Sequence, residues 1–318
     1  MQTLKKFFLT ILMMLFVPIL MLSVMHFHTD IPLSEMKEKY APAPSQFIEI
    51  DGMPVHYRIE GVVDSPAMVL IHGTASSLHT WEGWIPHFEK NYRLIRFDLP
   101  AFGLTGPHPN HDYSITYYVD FVNQLLQKFD VDSCVMAGNS LGGLIAWRYA
   151  SKYPAKVQQL VLIDAAAYPR DKPTPLAFKL ARNPITSSIM QYITPRSLVA
   201  ESLKDVYGND SLITEELVDR YFDMQLREGN RSAFTARANQ TQKHSLEETI
   251  EAIKGIQQPT LILWGEADNW IPVEHANRFF DDLPNPKLVT YQEIGHIPME
   301  EIPNETARDV LNFLEKVP

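Results

Sequence analysis

The sequence predicts an α/β fold built on a doubly wound, mostly parallel sheet of eight strands. Short apolar runs typical of buried strands alternate with amphipathic stretches typical of helices, and this order favours parallel strands joined by helical crossovers. The chain has 318 residues and 45% hydrophobic content, which is enough to bury a substantial core. The predicted strands are residues 47–50, 55–59, 67–71, 92–98, 133–138, 157–164, 260–264 and 288–292.

The first two strands are joined through Asp51-Gly52, a dipeptide typical of a tight antiparallel hairpin. The later connection from the strand ending at Asp164 to the one beginning at Thr260 is far too long for a simple crossover. It contains helical patterns, one of them over residues 213–227 and another begun by a capping box at 245–248. We therefore predict a helical cap, residues 168–258, inserted over the carboxyl end of a core formed by residues 46–167 and 259–318.

A serine lies at the junction of a predicted strand and a predicted helix. The apolar run from Val135 breaks into Gly138-Asn139-Ser140-Leu141-Gly142 and then continues as a helical pattern. This Gly-x-Ser-x-Gly arrangement in a strand–turn–helix context is typical of a nucleophile elbow, in which the serine Oγ is exposed at a sharp turn. The Leu141 N–H then lies at a helix start, where it suits a developing oxyanion. A turn serine is more often a local hydrogen-bonding residue, so a catalytic role needs a base and an acid.

Both partners follow predicted strands further along the chain. Asp268 comes after the strand 260–264, and His296 comes after the strand 288–292. Because functional groups of open parallel sheets collect at the carboxyl ends of the strands, we expect Ser140, Asp268 and His296 to lie close together. Asp164 also ends a predicted strand and is the rival for the acid.

A fourth segment supports the same site. His72-Gly73-Thr74 follows the strand 67–71, and the glycine allows the backbone to turn close to a substrate. The Thr74 N–H is therefore a second predicted oxyanion donor beside that of Leu141. We interpret His72 as a structural hydrogen-bonding residue, since it precedes the turn and His296 fits the base role better.

The chain resembles the α/β-hydrolase family over about residues 45–316, with the order serine, acid, histidine that this family uses. The resemblance implies an α/β-hydrolase fold with Ser140 as nucleophile, His296 as base, Asp268 as acid, and Leu141 with Thr74 as oxyanion donors, similar to serine esterases and lipases. Ala101 departs from the family pattern, which often has glycine there, and puts the local turn shape in doubt. The matching segments are residues 72–73, 98–105, 138–143, 160–164, 264–268 and 295–298.

Composition excludes several other classes of function. The formal charge of −10 and the pI near 5.6 do not fit a nucleic-acid-binding protein, which needs a basic footprint. No Gly-rich phosphate loop or cysteine cluster occurs, and the expected mechanism needs no metal or organic cofactor. We interpret His108 and His111 as surface loop residues, and the single cysteine, Cys134, as a small apolar core residue.

The amino terminus predicts a membrane anchor. Lys5 and Lys6 precede residues 7–27, which carry no side chain with a full charge at neutral pH. A helix of that length spans roughly 30 Å, the thickness of a bilayer core. We therefore interpret residues 1–30 as an uncleaved anchor that places the catalytic domain outside the cytoplasm, in the periplasm of a bacterium. A cleaved signal peptide and a secreted enzyme is the alternative. Residues 31–45 are polar and proline-bearing, and are interpreted as a tether over the surface.

We expect the substrate to be a small-molecule carboxylic ester, cleaved through an acyl-enzyme by a carboxylesterase or lipase-like enzyme. A C–C bond hydrolase or an acyltransferase shares the same triad, and a catalytically silent ligand-binding protein is an alternative of another class. No obligate protein partner is evident. Apolar cap residues are candidates for lining an acyl pocket, although packing of cap against core explains most of them; they include Phe178, Met190, Tyr192, Phe222 and Met224.

Overall fold

The computed structural model of the protein describes residues 26–169, 172–240 and 245–316. Its eight strands form one sheet in the order β1-β2-β4-β3-β5-β6-β7-β8, which confirms the predicted mostly parallel α/β fold. Only β1 with β2 and β2 with β4 pair antiparallel. The strands are β1 Gln46–Ile50, β2 Met53–Gly61, β3 Ala67–Ile71, β4 Arg93–Phe97, β5 Cys134–Asn139, β6 Val157–Ile163, β7 Thr260–Gly265 and β8 Pro286–Tyr291.

The hairpin between β1 and β2 turns where the sequence predicts it. Asp51 and Gly52 have φ angles of 51° and 77°, as a two-residue turn with two left-handed positions requires. This turn pairs Ile50 with Met53 and fixes the register of the hairpin.

Helices cover both faces of the sheet. On one face Tyr118, Trp147 and Phe279 pack against the strands, and on the other Trp84 and Phe313 do so. The helices are α1 Leu33–Tyr40, α2 Ile85–Phe88, α3 Ile115–Lys128, α4 Leu141–Lys152, α5 Leu176–Arg182, α6 Pro184–Met190, α7 Arg196–Val206, α8 Glu215–Leu226, α9 Asn230–Ala238, α10 Leu246–Lys254, α11 Glu274–Asp282, α12 Pro298–Glu301 and α13 Pro303–Leu314.

The cap is the stretch from α5 to α10, between β6 and β7. The capping box at the start of α10 is present: Ser245 accepts from the Glu248 N–H, and the Glu248 carboxylate accepts from the Ser245 N–H. Thr214 caps α8 by accepting from the Leu217 N–H. These side chains accept hydrogen bonds from N–H groups that a helix leaves without partners in its first turn. The helix-start residues predicted from the sequence therefore do cap these helices.

Residues 26–41 are more ordered than the predicted surface tether. They include α1, whose Met36 is buried against Leu104 of the core and Met224 of the cap. The Ile31 N–H donates to the Leu226 carbonyl over 2.7 Å. An isolated helix of eight residues is only marginally stable in water. The polar sequence of α1 does not predict a helix, and packing of Met36 against the core and the cap stabilises it.

The predicted membrane anchor, residues 7–27, lies outside the described residues except for its last two. Among the residues that the structure describes, no helix combines the length and apolar character needed to cross a bilayer.

Asp98 organises the turn after β4. Its carboxylate accepts from the Leu78 and Leu104 N–H groups, each over 2.7 Å, and lies 2.8 Å from His56 Nδ1. Burial opposes ionisation, but nearby histidines, His56 first, outweigh it and lower the pKa of Asp98. Gly103 is required here, because a Cβ would lie 2.2 Å from the Asp98 Cγ and its φ is 53°. Ala101, the departure from the family pattern, has a φ of 81°, a strained value for a residue other than glycine.

Replacement of Asp98 by alanine should therefore lower the free energy of unfolding by about 3 kcal/mol or more, because three buried donors lose their acceptor. Denaturant unfolding of the wild type and Asp98→Ala measures the difference. Asp112→Ala removes an exposed carboxylate that accepts one local hydrogen bond and is the matched control, expected within about 1 kcal/mol of wild type. Equal losses in the two variants contradict this role of Asp98.

Candidate active site

Ser140 lies at the sharp turn between β5 and α4. Its φ of 54° and ψ of −113° fall outside the regions that residues other than glycine ordinarily occupy. Three backbone hydrogen bonds hold this conformation: the Ser140 N–H donates to the Ile163 carbonyl, and the Ser140 carbonyl accepts from the N–H groups of Leu144 and Ala166. The strained serine of a nucleophile elbow is thus present where the motif predicts it.

The two glycines that flank Ser140 are needed for close approach of backbone to backbone. A Cβ on Gly142 would lie 2.1 Å from the Ile71 carbonyl oxygen, and one on Gly138 would lie 2.2 Å from the Gly142 oxygen. Since these neighbours are main-chain atoms, no side-chain rearrangement makes room. The spacing of glycines in the motif therefore has a steric cause in this chain.

Asp268 and His296 form a buried pair beside Ser140. His296 Nδ1 lies 2.6 Å from Asp268 Oδ2, and both side chains are almost fully buried. Asp268 Oδ1 accepts from the N–H groups of Trp270 and Ile271 over 2.6 and 2.9 Å. Asp268 thus accepts three hydrogen bonds, and the one from Nδ1 places the imidazole proton on that nitrogen.

This tautomer leaves His296 Nε2 as the basic nitrogen. Nε2 is buried and makes no hydrogen bond within the described part of the chain. Ser140 and His296 line the same cavity, so the nucleophile and the base meet at one space, although the resting structure forms no Ser140–His296 hydrogen bond. Such bonds are often long in unliganded sites and tighten when substrate binds.

Asp164, the rival acid, also reaches this site but does not bind the histidine. Ligating atoms of Asp164, Asp268 and His296 all lie within 4.8 Å of one another. Asp164 Oδ1 accepts one backbone N–H, from Gly265 over 3.1 Å. Complete burial, together with the nearby charge of Asp268, raises the pKa of Asp164 well above its usual value. With fewer donors than Asp268, Asp164 is the neutral acid of the pair.

These three side chains are also the group of potential metal ligands found among the described residues. The 2.6 Å distance between His296 Nδ1 and Asp268 Oδ2 is that of a direct hydrogen bond, and an ion between the two atoms requires a longer separation. The cluster therefore fits a proton-holding triad better than a metal centre.

The two predicted oxyanion donors flank the serine. Leu141 is the first residue of α4, so its N–H has no acceptor inside the helix. Thr74 lines the cavity with Ser140, and the preceding Gly73 lies so close that a Cβ there would be 3.2 Å from the Ser140 Cβ. Both amides are placed near the nucleophile, and their role in catalysis stays a prediction.

His72 is engaged on both sides of its ring. Its Nε2 accepts from the Leu99 N–H over 2.9 Å, so Nδ1 carries the proton and donates to the Gly73 carbonyl over 2.7 Å. Burial lowers the pKa of His72 and keeps the ring neutral. With both nitrogens used by the backbone, His72 holds the oxyanion loop and has no atom free for proton transfer.

The other residues considered from sequence are structural. His108 Nδ1 accepts from the N–H groups of Asn110 and Asp112 and so fixes a loop. Cys134 is fully buried, and burial raises the pKa of its thiol to about 12. A thiol that stays protonated is a poor nucleophile beside Ser140.

Two residues that sequence reasoning did not single out connect the loops of the site. The Asn139 side chain donates to the His296 carbonyl over 2.9 Å and ties the elbow to the histidine loop. The Glu301 carboxylate accepts from the N–H groups of Gly295 and Gly208, which ties the histidine loop to the cap. Their places next to Ser140 and shortly after His296 are the only sequence signal for them.

The cavity that holds Ser140 and His296 lies between core and cap. Most of its lining is apolar, and the predicted pocket residues Phe178 and Met190 belong to it, whereas Phe222 and Met224 are buried elsewhere. The aromatic ring of Trp270 lies 5.4 Å from the His296 ring, which covers one side of the base. The cap residues that line this cavity are Ala177, Phe178, Met190, Thr194, Leu198, Val199, Ser202, Leu203, Val206, Tyr221, Gln225, Arg231 and Phe234.

Comparison with known proteins gives a consistent result. The family model described as alpha/beta hydrolase fold matches residues 66–303. Lipase 1 of Psychrobacter immobilis is 28% identical over 270 residues, which cover 81% of this chain and 79% of the lipase. The 2-hydroxy-6-oxo-2,4-heptadienoate hydrolase of Pseudomonas putida is 27% identical over 237 residues, which cover 72% of this chain and 82% of that enzyme.

The crystal structure of the Lip1 protein of Acinetobacter baumannii superposes with a TM-score of 0.76 at 25% identity. The match covers 91% of this chain and 98% of the Lip1 chain. The two folds are thus similar over most of the chain.

The two carboxyl groups near His296 should differ in their importance for turnover. Asp268→Asn cannot hold the imidazole in the required tautomer, and we expect kcat for an activated ester to fall by about 10⁴. Asp164→Asn replaces one neutral group by another of the same shape, and should change kcat by less than about tenfold. A loss at Asp164 as large as that at Asp268 contradicts this assignment.

The protonation of Asp164 should also be visible in stability. Its folded-state pKa is raised, while the unfolded residue ionises near about pH 3.9, so the native state binds the extra proton above that pH and loses stability as pH rises. The slope is up to about 1.4 kcal/mol per pH unit. Asp164→Asn lacks this contribution, so its unfolding free energy relative to wild type should increase from about pH 5 to pH 8. Parallel profiles of the two proteins contradict a neutral Asp164.

Proposed function

The chain belongs to the α/β-hydrolase fold family, and from this premise we propose that it is a serine hydrolase that cleaves carboxylic esters through an acyl-enzyme. One observation carries the proposal: a strained serine at an elbow and a buried His296–Asp268 pair open onto the same apolar cavity. A structural role does not require a strained serine, a basic nitrogen left without a partner and a cavity to occur together.

The proposed reaction uses only these side chains and water. His296 Nε2 takes the Ser140 proton as Oγ attacks the ester carbonyl carbon, and the Asp268 carboxylate stabilises the imidazolium. The Leu141 and Thr74 amides donate to the oxyanion. The imidazolium then protonates the leaving alkoxide, so an alcohol departs and the acyl group stays on Ser140. Water, deprotonated by the same Nε2, attacks the acyl carbon. The bond between the acyl carbon and Oγ then breaks, the imidazolium returns its proton to Oγ, and the carboxylic acid leaves.

The cavity lining supports an apolar acyl group. Aliphatic and aromatic side chains form most of the lining. Among the described residues that line the cavity, Arg231 is the only lysine or arginine. Arg231 is already ion-paired with Asp30. The Pseudomonas putida relative acts on a dienoate, whose carboxylate calls for a cationic partner. A guanidinium that is already paired is a weaker partner for a substrate carboxylate. The cavity therefore fits a neutral ester better than a dienoate.

A C–C bond hydrolase and an acyltransferase remain alternatives on the same triad, and a silent ligand-binding protein is the alternative of another class. The first differs in the bond that is broken, and the second in whether water or an alcohol accepts the acyl group. The third keeps the cavity but makes no acyl-enzyme. The bond that is broken, the acceptor of the acyl group and the formation of an acyl-enzyme can each be measured.

We also propose that residues 7–27 anchor the enzyme in a membrane with the catalytic domain outside the cytoplasm, and, in the alternative, that the segment is cleaved and the enzyme secreted. Support comes from the long uncharged segment behind two lysines.

Fluorophosphonate labelling tests the nucleophile first. Wild type should react covalently and Ser140→Ala should not, since the probe needs an activated serine. Ester panels of graded acyl length and a vinylogous diketone then separate the classes of substrate, and we expect kcat/KM to be highest for medium or long acyl esters. Ser114→Ala, which alters a helix-capping serine far from the cavity, is the matched control and should label like wild type.

Equal labelling of wild type and Ser140→Ala contradicts the nucleophile assignment. Absence of labelling in a folded wild-type protein favours the silent binding protein. Turnover of the diketone without turnover of any ester favours the C–C bond hydrolase.

A further inference from the structure

The cap carries a cluster of exposed apolar side chains on one side, which we call the cap face. These side chains are 47% to 74% exposed, although large apolar residues are ordinarily covered in a water-soluble domain. The cap face consists of Phe27, Leu176, Ile185, Ile189 and Tyr192.

We propose that the cap face docks on a lipid bilayer and that the catalytic cavity receives its ligands from that side.

The cap face is continuous with the entrance region of the cavity. An apolar groove on the cap is lined by Leu176 and Ile189 of the cap face, together with Met190 and Leu198. Met190 and Leu198 also line the cavity that holds Ser140. Groove and cavity thus share two apolar side chains, which lie between the cap face and the space that holds Ser140.

The apolar amino-terminal segment reaches the described structure at the edge of the cap face. Phe27 pairs with Ile193 in an antiparallel bridge, and the Thr194 N–H donates to the His26 carbonyl over 3.3 Å. The Asp30 carboxylate pairs with Arg231 of the cap. His26, the first described residue after the apolar stretch 7–25, thus lies beside the cap face.

The charge around the cap face differs from that of the chain as a whole. Residues 172–200 contain four lysines and arginines and no acidic residue, in a chain with a net charge of −10. One of the four, Arg196, is paired with Glu215 and Asp219, and Glu201 borders the groove. Lys179 and Arg182 are exposed on α5, the helix that carries Leu176. Basic residues around exposed apolar ones fit a bilayer with anionic headgroups.

This arrangement distinguishes a bilayer from the other possible occupants, which are the amino-terminal segment itself or a second copy of the chain. The amino-terminal segment does not explain a basic border, because residues 1–25 contain two lysines and no acidic residue. A two-fold contact between two cap faces does not explain it either, because it would place the same basic border against itself. The docking inference does not depend on catalysis. Only its consequence, that the substrates are acyl esters of membrane lipids, rests on the proposed function.

Site-specific fluorescence tests the docking. The single cysteine is buried, so the unmodified chain serves as its own labelling blank. Full-length Ile185→Cys, labelled with an environment-sensitive fluorophore, is reconstituted in vesicles of phosphatidylcholine and phosphatidylglycerol. The matched control is Val63→Cys, at a residue that is 70% exposed in the loop before β3, the end of the sheet opposite the cap. Spin-labelled lipid quenches fluorophores in the bilayer, and iodide quenches those in water.

We expect the label at 185 to lose fluorescence with spin-labelled lipid and to be protected from iodide, and the label at 63 to show the reverse. Adding Ser140→Ala should leave this pattern unchanged, so failure of docking is distinct from failure of the proposed catalysis. Quenching at 185 by iodide alone overturns the proposal. Protection of 185 from both quenchers shows that protein covers the cap face and also overturns it.

Discussion

The backbone of Ser140 is the constraint on which the rest of the site depends. A left-handed serine between strand and helix is unfavourable on its own, and it persists because β6 and the following loop bind its N–H and carbonyl. The close approach of Gly142 to Ile71 positions the start of α4, and with it the Leu141 amide, against the oxyanion loop. A rigid elbow thus fixes Ser140 and the Leu141 amide together, before any ligand is present.

The buried carboxyl groups around His296 have different functions because they have different numbers of donors. Asp268 accepts hydrogen bonds from two backbone amides and from the imidazole. Asp164 has one amide and the charge of Asp268 beside it, and so takes up a proton. Glu301 binds backbone amides of the histidine loop and the cap. Similar side chains in one region therefore have different roles. Asp268 orients the imidazole, Asp164 is its protonated neighbour, and Glu301 connects two loops.

The sequence predicts the sheet well, because buried parallel strands are continuous apolar runs and the turn chemistry of Asp51-Gly52 is local. The sequence also predicts that Ser140, Asp268 and His296 lie close together, since strand ends of one sheet share an edge. In the structure Asp268 contacts His296, and His296 lines the same cavity as Ser140. The sequence does not predict α1, whose stability comes from Met36 packing against distant residues. Nor does it predict the Asn139 bond to His296, because a hydrogen bond between residues 157 positions apart leaves no local pattern.

Residues 26–31 are bonded to two separate parts of the cap. The His28 N–H donates to the Tyr192 carbonyl ahead of α7, and the Ile31 N–H donates to the Leu226 carbonyl at the end of α8. A hinge movement that lifts either part away from the core must break these bonds or carry the segment along. Residues 26–31 thus connect the two parts of the cap, so that displacement of either part is resisted by backbone hydrogen bonds to the other.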